Sequence, residues 1–442
     1  KGDRVMCGIA GIAVRDGKQV ALDQIKKMIG CLKHRGPDEF GAFHGEQIGL
    51  GHARLSIIDL NTGTQPIHNE DQSLWLVFNG EIYNFIELRS LLAAKGHTFY
   101  TKTDTEVIIH AYEEYGPDCL KHFNGQFAFA IWDTNKRQLF LARDRLGIRP
   151  LFYHMQGGTL AFASEIKSLF TLPHIVRKID PIALDQIFTM WATLPPRTAF
   201  KDIWQLPPGC FGVFSEERGT LKVNPYWELP FNDGSGGSRS EADYCEELAH
   251  LLTESTRIRL RADVPVGAYL SGGLDSTVIT SLINKINPAR LSTFSIQFSD
   301  QNYDESSFQK KVIDHLKVDH HEIHCTHSDI AAAFPQLIWH SETPLLRTAP
   351  TPLMLLSRLV RDNDMKVVLT GEGADEMLAG YNIFREASVR RFWSKNPESS
   401  FRPLLIQKLY PYLQRSNAKT RSYLSHFFKQ GLTDTHLSYY SH

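Results

Sequence analysis

Val264-Pro265-Val266-Gly267-Ala268-Tyr269-Leu270, then Ser271-Gly272-Gly273-Leu274-Asp275-Ser276, then Thr277-Val278-Ile279-Thr280-Ser281-Leu282-Ile283, decides how the second half of this chain reads. The first segment is apolar and short, as a buried strand is. The last is apolar and helix-like. Between them lies a Gly-rich turn. A strand, such a turn and a helix N-terminus form an anion site, because free N–H groups point outward and the helix dipole favours negative charge. Gly272 and Gly273 let the backbone approach a phosphate closely. Ser271 and Ser276 add hydroxyl donors, and Asp275 can hold a Mg²⁺ beside the phosphates. The loop contains no Lys, so it is not the P-loop pattern of kinases and GTPases. The bland alternative is an ordinary Gly-Gly turn with Asp275 and Ser276 capping a helix.

Outward from this loop the pattern repeats. Ser292 to Phe298 reads as a strand, Glu305 to Leu316 as a helix and Lys366 to Leu369 as a second buried strand. Strands alternating with helices predict a doubly wound parallel sheet. The second strand runs into Thr370-Gly371-Glu372-Gly373-Ala374-Asp375-Glu376. Three carboxylates beside a triphosphate make electrostatic sense only with a cation, so Mg²⁺ is implied. The alternative is an acidic first helical turn. His320-His321-Glu322-Ile323-His324-Cys325 looks like a metal cluster but falls on an expected strand, where alternate side chains face opposite ways. The charges from Lys408 to Arg421 read as a solvated helical face.

The polar stretch Asn232 to Ser240 buries little and reads as a linker. Before it, Leu74 to Phe78 and Phe127 to Trp132 read as strands and Phe85 to Lys95 as a helix. The chain has 442 residues, enough for roughly two to three domains. With 48 basic and 49 acidic residues, its charge balance gives no case for nucleic-acid or membrane partners. No apolar run is long enough for a bilayer, and Lys1 to Arg15 lacks the apolar core of a signal peptide. The six cysteines form no Cys-x-x-Cys pair, against a zinc or disulfide framework. A cytoplasmic location is the default.

Near the start stands Met6-Cys7-Gly8-Ile9-Ala10-Gly11. If Met6 is trimmed, Cys7 carries both a thiol and an α-amine whose pKa near 8 lets it act as a base on its own side chain. The alternative is a buried structural cysteine. Lys1-Gly2-Asp3-Arg4-Val5 precede Met6, and while they stay attached Cys7 has no free amine. Arg35-Gly36-Pro37-Asp38, Ala53 to Asp59, Phe78 to Asn84 and Thr103 to Glu106 follow in order.

Together with Cys7 these segments resemble class II glutamine amidotransferase domains over residues 6–215. The resemblance implies an N-terminal-nucleophile αββα sandwich. It implies Cys7 as nucleophile and an oxyanion hole from the Asn79 amide and the Gly80 N–H. Arg54 then grips the glutamine carboxylate and Asp104 its ammonium. Leu55, Ser56, Ile57, Ile58 and Glu81 complete the implied glutamine site. The bland readings are a surface Arg54, a capping Asp104 and a hairpin turn at Asn79-Gly80.

The Ser271–Ser276 loop resembles that of ATP pyrophosphatases. Behind a class II glutaminase, the whole resembles glutamine-hydrolysing asparagine synthetase. The implied order is 6–215 glutaminase, 216–245 linker and 246–442 ATP-binding domain, an α/β and α+β two-domain architecture. ATP is then a substrate, contacted by Leu270, Ser271, Gly272, Gly273, Leu274, Asp275, Ser276, Ile296, Thr370 and Gly371. Asp275 and Asp375 are the implied magnesium ligands and Glu372 a general base. The partners implied are glutamine, ATP, a carboxylate acceptor such as aspartate, and a second copy in a homodimer. Family members usually continue past the position of His442, so the usual C-terminal part is expected to be missing and Ser388 to Gln430 to lack packing partners. Three other readings stay open. One is the same chemistry on another carboxylate, and one an amide-forming cyclase that needs no glutamine. The third is a degenerate homologue that only binds nucleotide.

Overall fold

A computed structural model describes residues 6–15, 17–230, 239–287, 291–301, 303–410 and 426–433. The expected linker core at 232–238, the segment 1–5 and most of the basic run 408–421 lie outside the described residues.

Among the described residues, twelve strands build the first half. They are β1 (Gly8–Val14), β2 (Glu39–His44), β3 (Ile48–Arg54), β4 (Ile67–His68), β5 (Leu74–Ile82), β6 (Gly125–Asp133), β7 (Gln138–Arg143), β8 (Phe152–Gln156), β9 (Thr159–Ala163), β10 (Trp204–Gln205), β11 (Cys210–Ser215) and β12 (Thr220–Pro225). They form two six-stranded sheets, in the orders β10-β8-β9-β1-β3-β2 and β12-β11-β7-β6-β5-β4. Helices α1 (Leu22–Gly30), α2 (Phe85–Ala94) and α3 (Glu106–Tyr115) cover the outer faces.

The strand alternation shows why this is a four-layer αββα sandwich. On β6, Phe127, Phe129 and Ile131 pack under α2 and α3, while Ala128, Ala130 and Trp132 face the other sheet. On β1, Ala10, Ile12 and Val14 pack under α1, while Ile9 and Ala13 face inward. Both faces of these strands are buried, so their sequences run apolar without a polar side. Close approach leaves no room at Gly11, where a Cβ would sit 2.4 Å from the Phe162 ring.

The expected linker 216–245 holds a strand, β12, and the first residues of a helix. Gly219, at φ +62°, turns the chain into β12, which pairs with β11 and closes the second sheet. Helices α4 (Ile166–Leu169) and α5 (Pro181–Met190) follow the first sheet. Helix α6 (Glu241–Arg259) begins on a capping box between Ser240 and Asp243, inside the expected linker.

The second half holds β13 (Val266–Tyr269), α7 (Leu274–Ile286), β14 (Ser292–Phe298), α8 (Ser306–Leu316), β15 (Asp319–Cys325), α9 (His327–Ser341), α10 (Pro350–Asp362) and β16 (Val367–Leu369). All strand pairs are parallel, in the order β15-β14-β13-β16. The order reverses between β13 and β16, the switch point at which such sheets take ligands. Helix α7 starts at Leu274, three residues before the sequence pattern suggests. Extended Gly273 is its N-cap, so Leu274, Asp275 and Ser276 form the first turn. The expected metal-like run is β15, where His320 bonds the Thr293 and Ser295 hydroxyls and His321 stacks on Phe294.

The chain separates into two compact units. Unit one holds residues up to Gly273 together with Ile279–Leu369; unit two holds Leu274–Val278 and the residues from Thr370 on. The two halves of the sequence meet inside unit one. Asp263 accepts from the Asp59 N–H at 2.7 Å, and Lys366 meets Asp38 at 2.6 Å. Glu342 accepts from the N–H groups of Ile166 and Lys167 at 2.6 and 2.7 Å, closing the first turn of α4.

Unit two contains α11 (Ala374–Leu378), α12 (Asn382–Ser394) and α13 (Leu404–Leu409). Residues 388–430 were expected to lack packing partners, yet Trp393, Ile406, Phe428 and Leu432 form a small buried cluster. Tyr410 donates to buried Glu386 at 2.9 Å. No helix among the described residues is long and apolar enough to cross a membrane.

Candidate active site

Cys7 stands at the entry to β1, beside the end of β3. The Leu55 N–H reaches its Sγ at 3.3 Å. Burial pushes the thiol pKa up, and the nearby Arg149 and Arg54 charges partly oppose this. Arg35 donates to the Cys7 carbonyl at 3.0 Å and pairs with buried Glu165 at 3.0 Å, so the nucleophile's backbone is anchored. Met6 precedes Cys7, with its N–H on the Arg35 carbonyl at 2.7 Å and its sulfur against the Arg149 guanidinium.

Asn79 and Gly80 lie inside β5, opposite Ala128 and Phe127, not in a hairpin turn. The two-residue period sends Val77, Asn79 and Glu81 to the face that meets the first sheet. Asn79 is 1 % exposed, and neither polar atom of its amide has a hydrogen-bond partner. A buried amide without partners costs stability, so it marks a position built for a ligand. Gly80 has to be glycine, because a Cβ would lie 2.2 Å from the Gln126 carbonyl of the neighbouring strand.

Arg54 closes the same pocket. Its Nη1 pairs with Glu39 at 2.9 Å and its Nη2 donates to the carbonyls of Ile58 and Asp59. The guanidinium is thus fixed in place by its own chain. A Cβ on Gly63 would lie 2.3 Å from Nη2, so only glycine fits there. Asp104 accepts the Ile82 N–H at 2.9 Å, and burial pushes its carboxyl up to about 6. Glu81 is pushed up to about 8, first by burial and then by the Asp104 charge. A cation placed between them would draw both carboxyls down.

These side chains line a cavity of about 410 Å³. It runs from Cys7, Arg54, Asn79 and Asp104 to Tyr269 on β13, Val360 on α10, Met365, and Val367 to Leu369 on β16. All of these residues belong to unit one. Leu55, Ile57, Ile58, Gly80 and Glu81 share this lining, whereas Ser56 lies beside it, its N–H on Asp38 and its carbonyl on Lys366.

The loop residues expected to contact nucleotide follow β13 and β16 in the chain. In unit one, Gly272 has φ +86°, and a Cβ there would lie 3.0 Å from the Gln309 N. Gln309 is buried and donates to the carbonyls of Ser271 and Ile296 at 3.3 and 3.2 Å, which joins the loop to β14. Leu270 is 1 % exposed, so its side chain packs into the core. In unit two, a Cβ on Gly371 would lie 2.9 Å from the Asp275 Cβ and the Ser276 N. Glycine therefore lets the Thr370–Gly371 loop rest on the first turn of α7. Thr370 Oγ1 accepts from the Glu372 N–H at 3.3 Å, and Gly373, at φ +92°, opens α11 with Asp375 and Glu376 in its first turn. Asp275 and Asp375 offer only oxygen donors, the set that magnesium prefers.

A family model described as a glutamine amidotransferase domain matches residues 6–227, and one described as asparagine synthase matches 247–440. A putative asparagine synthetase [glutamine-hydrolyzing] 2 of Methanocaldococcus jannaschii is 36% identical over 412 residues, covering 87% of this chain and 78% of that protein.

The chain belongs to the glutamine-hydrolysing asparagine synthetase family.

Asparagine synthetase [glutamine-hydrolyzing] 1 of Bacillus subtilis is also 36% identical, over 90% of this chain. The chain spans 63% of that relative's length. The chain is also similar to amidase chyE of Penicillium rubens, 35% identical over 86% of this chain and 60% of that protein. Among solved structures, a glutamine phosphoribosylpyrophosphate amidotransferase from B. subtilis is 15% identical over 82% of this chain and 90% of that one, with a TM-score of 0.37, too low to add to the fold read from the strands.

Three site residues of this family member went unread in its sequence. Arg149 is projected by a turn in which Asp144 accepts from the N–H groups of Leu146, Ile148 and Arg149, at 3.0 to 3.1 Å. Its signal is the run Arg143-Asp144-Arg145-Leu146-Gly147-Ile148-Arg149, with Gly147 at φ +67°. Gln309 and Lys366 gave no local signal, since each matters through a partner far away in the chain.

Proposed function

We propose that this chain is a glutamine-dependent amidotransferase that amidates a carboxylate activated by ATP, with aspartate as the acceptor. The observation that carries the reading is the cavity that runs from the Cys7 pocket to Tyr269 of β13 and to β16. Such a cavity suits the passage of ammonia, which is a nucleophile only while neutral and which water would protonate.

Removal of Met6 and the residues before it gives Cys7 its own amine as base. The thiolate adds to the glutamine carboxamide carbon. The Asn79 amide and the Gly80 N–H stabilise the oxyanion. Arg54 and Asp104 hold the carboxylate and ammonium of the substrate. The C–N bond breaks, ammonia leaves with the proton taken from the thiol, and water cleaves the thioester to glutamate.

At the other site, the acceptor carboxylate attacks the α-phosphate of ATP and pyrophosphate leaves. Ammonia attacks the acyl carbon, AMP leaves, and Glu372 takes the proton that the nitrogen sheds. The backbone of Ser271 to Ser276, with Thr370 and Gly371, cradles the phosphates. Magnesium held by Asp275 and Asp375 would neutralise phosphate charge.

Amidases among the similar proteins make other carboxylate acceptors the second reading. The test measures pyrophosphate release with Mg-ATP across a set of carboxylates, with ammonium chloride or glutamine as nitrogen source. Aspartate-dependent release with equal asparagine supports the first reading. Release with another carboxylate alone rejects aspartate. Cys7→Ala is expected to abolish glutamine use and spare ammonia use.

A further inference from the structure

Four side chains far from the Cys7 pocket in sequence converge on one point. Glu70 comes from the loop between β4 and β5, His97 from the loop between α2 and α3, and His110 and Glu113 from one face of α3. Their nearest nitrogen and oxygen atoms all lie within 4.8 Å of one another. His110 Nδ1 is 2.8 Å from Glu113 Oε2 and 3.8 Å from Glu70 Oε2. His97 Nδ1 is 3.4 Å from that same Glu113 oxygen.

The other polar atoms of Glu70, Glu113 and His97 are turned away and engaged elsewhere. Glu70 Oε1 accepts the Thr98 N–H at 2.9 Å, and Glu113 Oε1 accepts from Asn69 Nδ2 at 2.8 Å. His97 Nε2 meets Glu114 Oε1 at 3.1 Å, and Glu114 is held as an anion by Lys95 at 2.7 Å. His110 Nε2 faces buried Glu106 at 3.7 Å. A histidine that donates from Nε2 to a carboxylate presents an unprotonated Nδ1. His110 Nδ1 and Glu113 Oε2 share a proton across 2.8 Å, whereas His97, donating from Nε2 to Glu114, turns the lone pair of its Nδ1 towards that same Glu113 oxygen at 3.4 Å. That contact is repulsive until a cation sits inside it.

We propose that Glu70, His97, His110 and Glu113 bind a divalent transition-metal ion, with zinc the ion of best fit. Two imidazoles and two carboxylates are zinc donors, and the two carboxylate charges neutralise it. A tetrahedral zinc with ligands at about 2.0–2.1 Å sets them about 3.3 Å apart, so the observed spacings need shifts of an ångström or so. Glu114 behind His97 supplies the outer hydrogen bond typical of a metal-bound histidine, and the buried Glu106 carboxylate lies 3.7 Å behind His110. The ion would tie two loops to α3 and act on stability. The competing account is a proton shared between His110 and the carboxylates, with no metal.

The test uses the purified full chain, stripped with a chelator and then titrated with zinc or cobalt. The expected result is one equivalent bound with a tetrahedral cobalt spectrum, and a melting temperature that zinc raises and chelator returns. Glu70 is exposed and His97 partly so, which makes Glu70→Gln with His97→Ala the informative variant. It should lose that one equivalent and the zinc-dependent shift, while its circular dichroism matches the stripped parent. Glu114→Gln should weaken zinc binding by about 10- to 100-fold. Equal stoichiometry in parent and double variant, or no zinc uptake by the parent, overturns the metal and leaves the shared proton. If the double variant fails to fold, the Glu114→Gln titration decides alone.

Discussion

Asn79→Ala separates activity from stability. Asn79 is almost fully buried, and its amide makes no hydrogen bond within the protein. An unpaired buried polar group costs about 1–3 kcal/mol, so deleting this one removes a penalty. The change also opens a small void, but the site already borders a cavity of about 410 Å³, so little packing is lost. Melting temperature should stay level or rise. The reaction should suffer, because loss of one oxyanion donor costs about 2.7–4 kcal/mol, or about 10²- to 10³-fold in rate. The assay has three arms: glutamate release from glutamine, pyrophosphate release with ammonium chloride, and a thermal melt. The first should fall by that factor, and the other two should hold. A variant that melts lower and still releases glutamate at the parent rate would refute the reasoning, since Asn79 would then be a structural amide.

Three further outcomes follow from the geometry. Glu81 is pushed up to about 8 in the folded protein, so folding favours its protonated form. That contribution is fully present below the ordinary carboxylate pKa and fades as pH rises through about 8; denaturant titrations should show Glu81→Gln flattening this decline. Gly371→Ala sets a Cβ 2.9 Å from Asp275, and should abolish ATP-dependent pyrophosphate release while glutamate release persists. Glu342→Ala strips the first turn of α4 of two N–H contacts and Lys167 of one partner; denaturant unfolding should show a loss of about 3 kcal/mol, the scale of a broken buried ion pair.

Much of this protein was legible along the chain. The strand, Gly-rich turn and helix around Ser271–Ser276 follow from local periodicity and from what glycine permits. The same holds for the strands at Leu74–Phe78 and Phe127–Trp132, because a buried strand announces itself over a handful of residues. The motif segments also pointed to Cys7, Arg54, Asn79 and Asp104, and the fold brings these four around one cavity. Boundaries were less legible. The run 216–245 looked like linker, yet β12 completes a sheet there because β11 offers it an open edge, a fact about pairing that composition does not carry. Other features exist only through contacts between distant residues. The cavity from Cys7 to β16 arises where the two halves pack together. The raised carboxyls of Glu81 and Asp104 come from shared burial, and the His97–His110 cluster from two loops folding onto α3. Local periodicity names the elements because it acts between near neighbours. Burial, charge coupling and convergence depend on which faces meet, and only tertiary packing decides that.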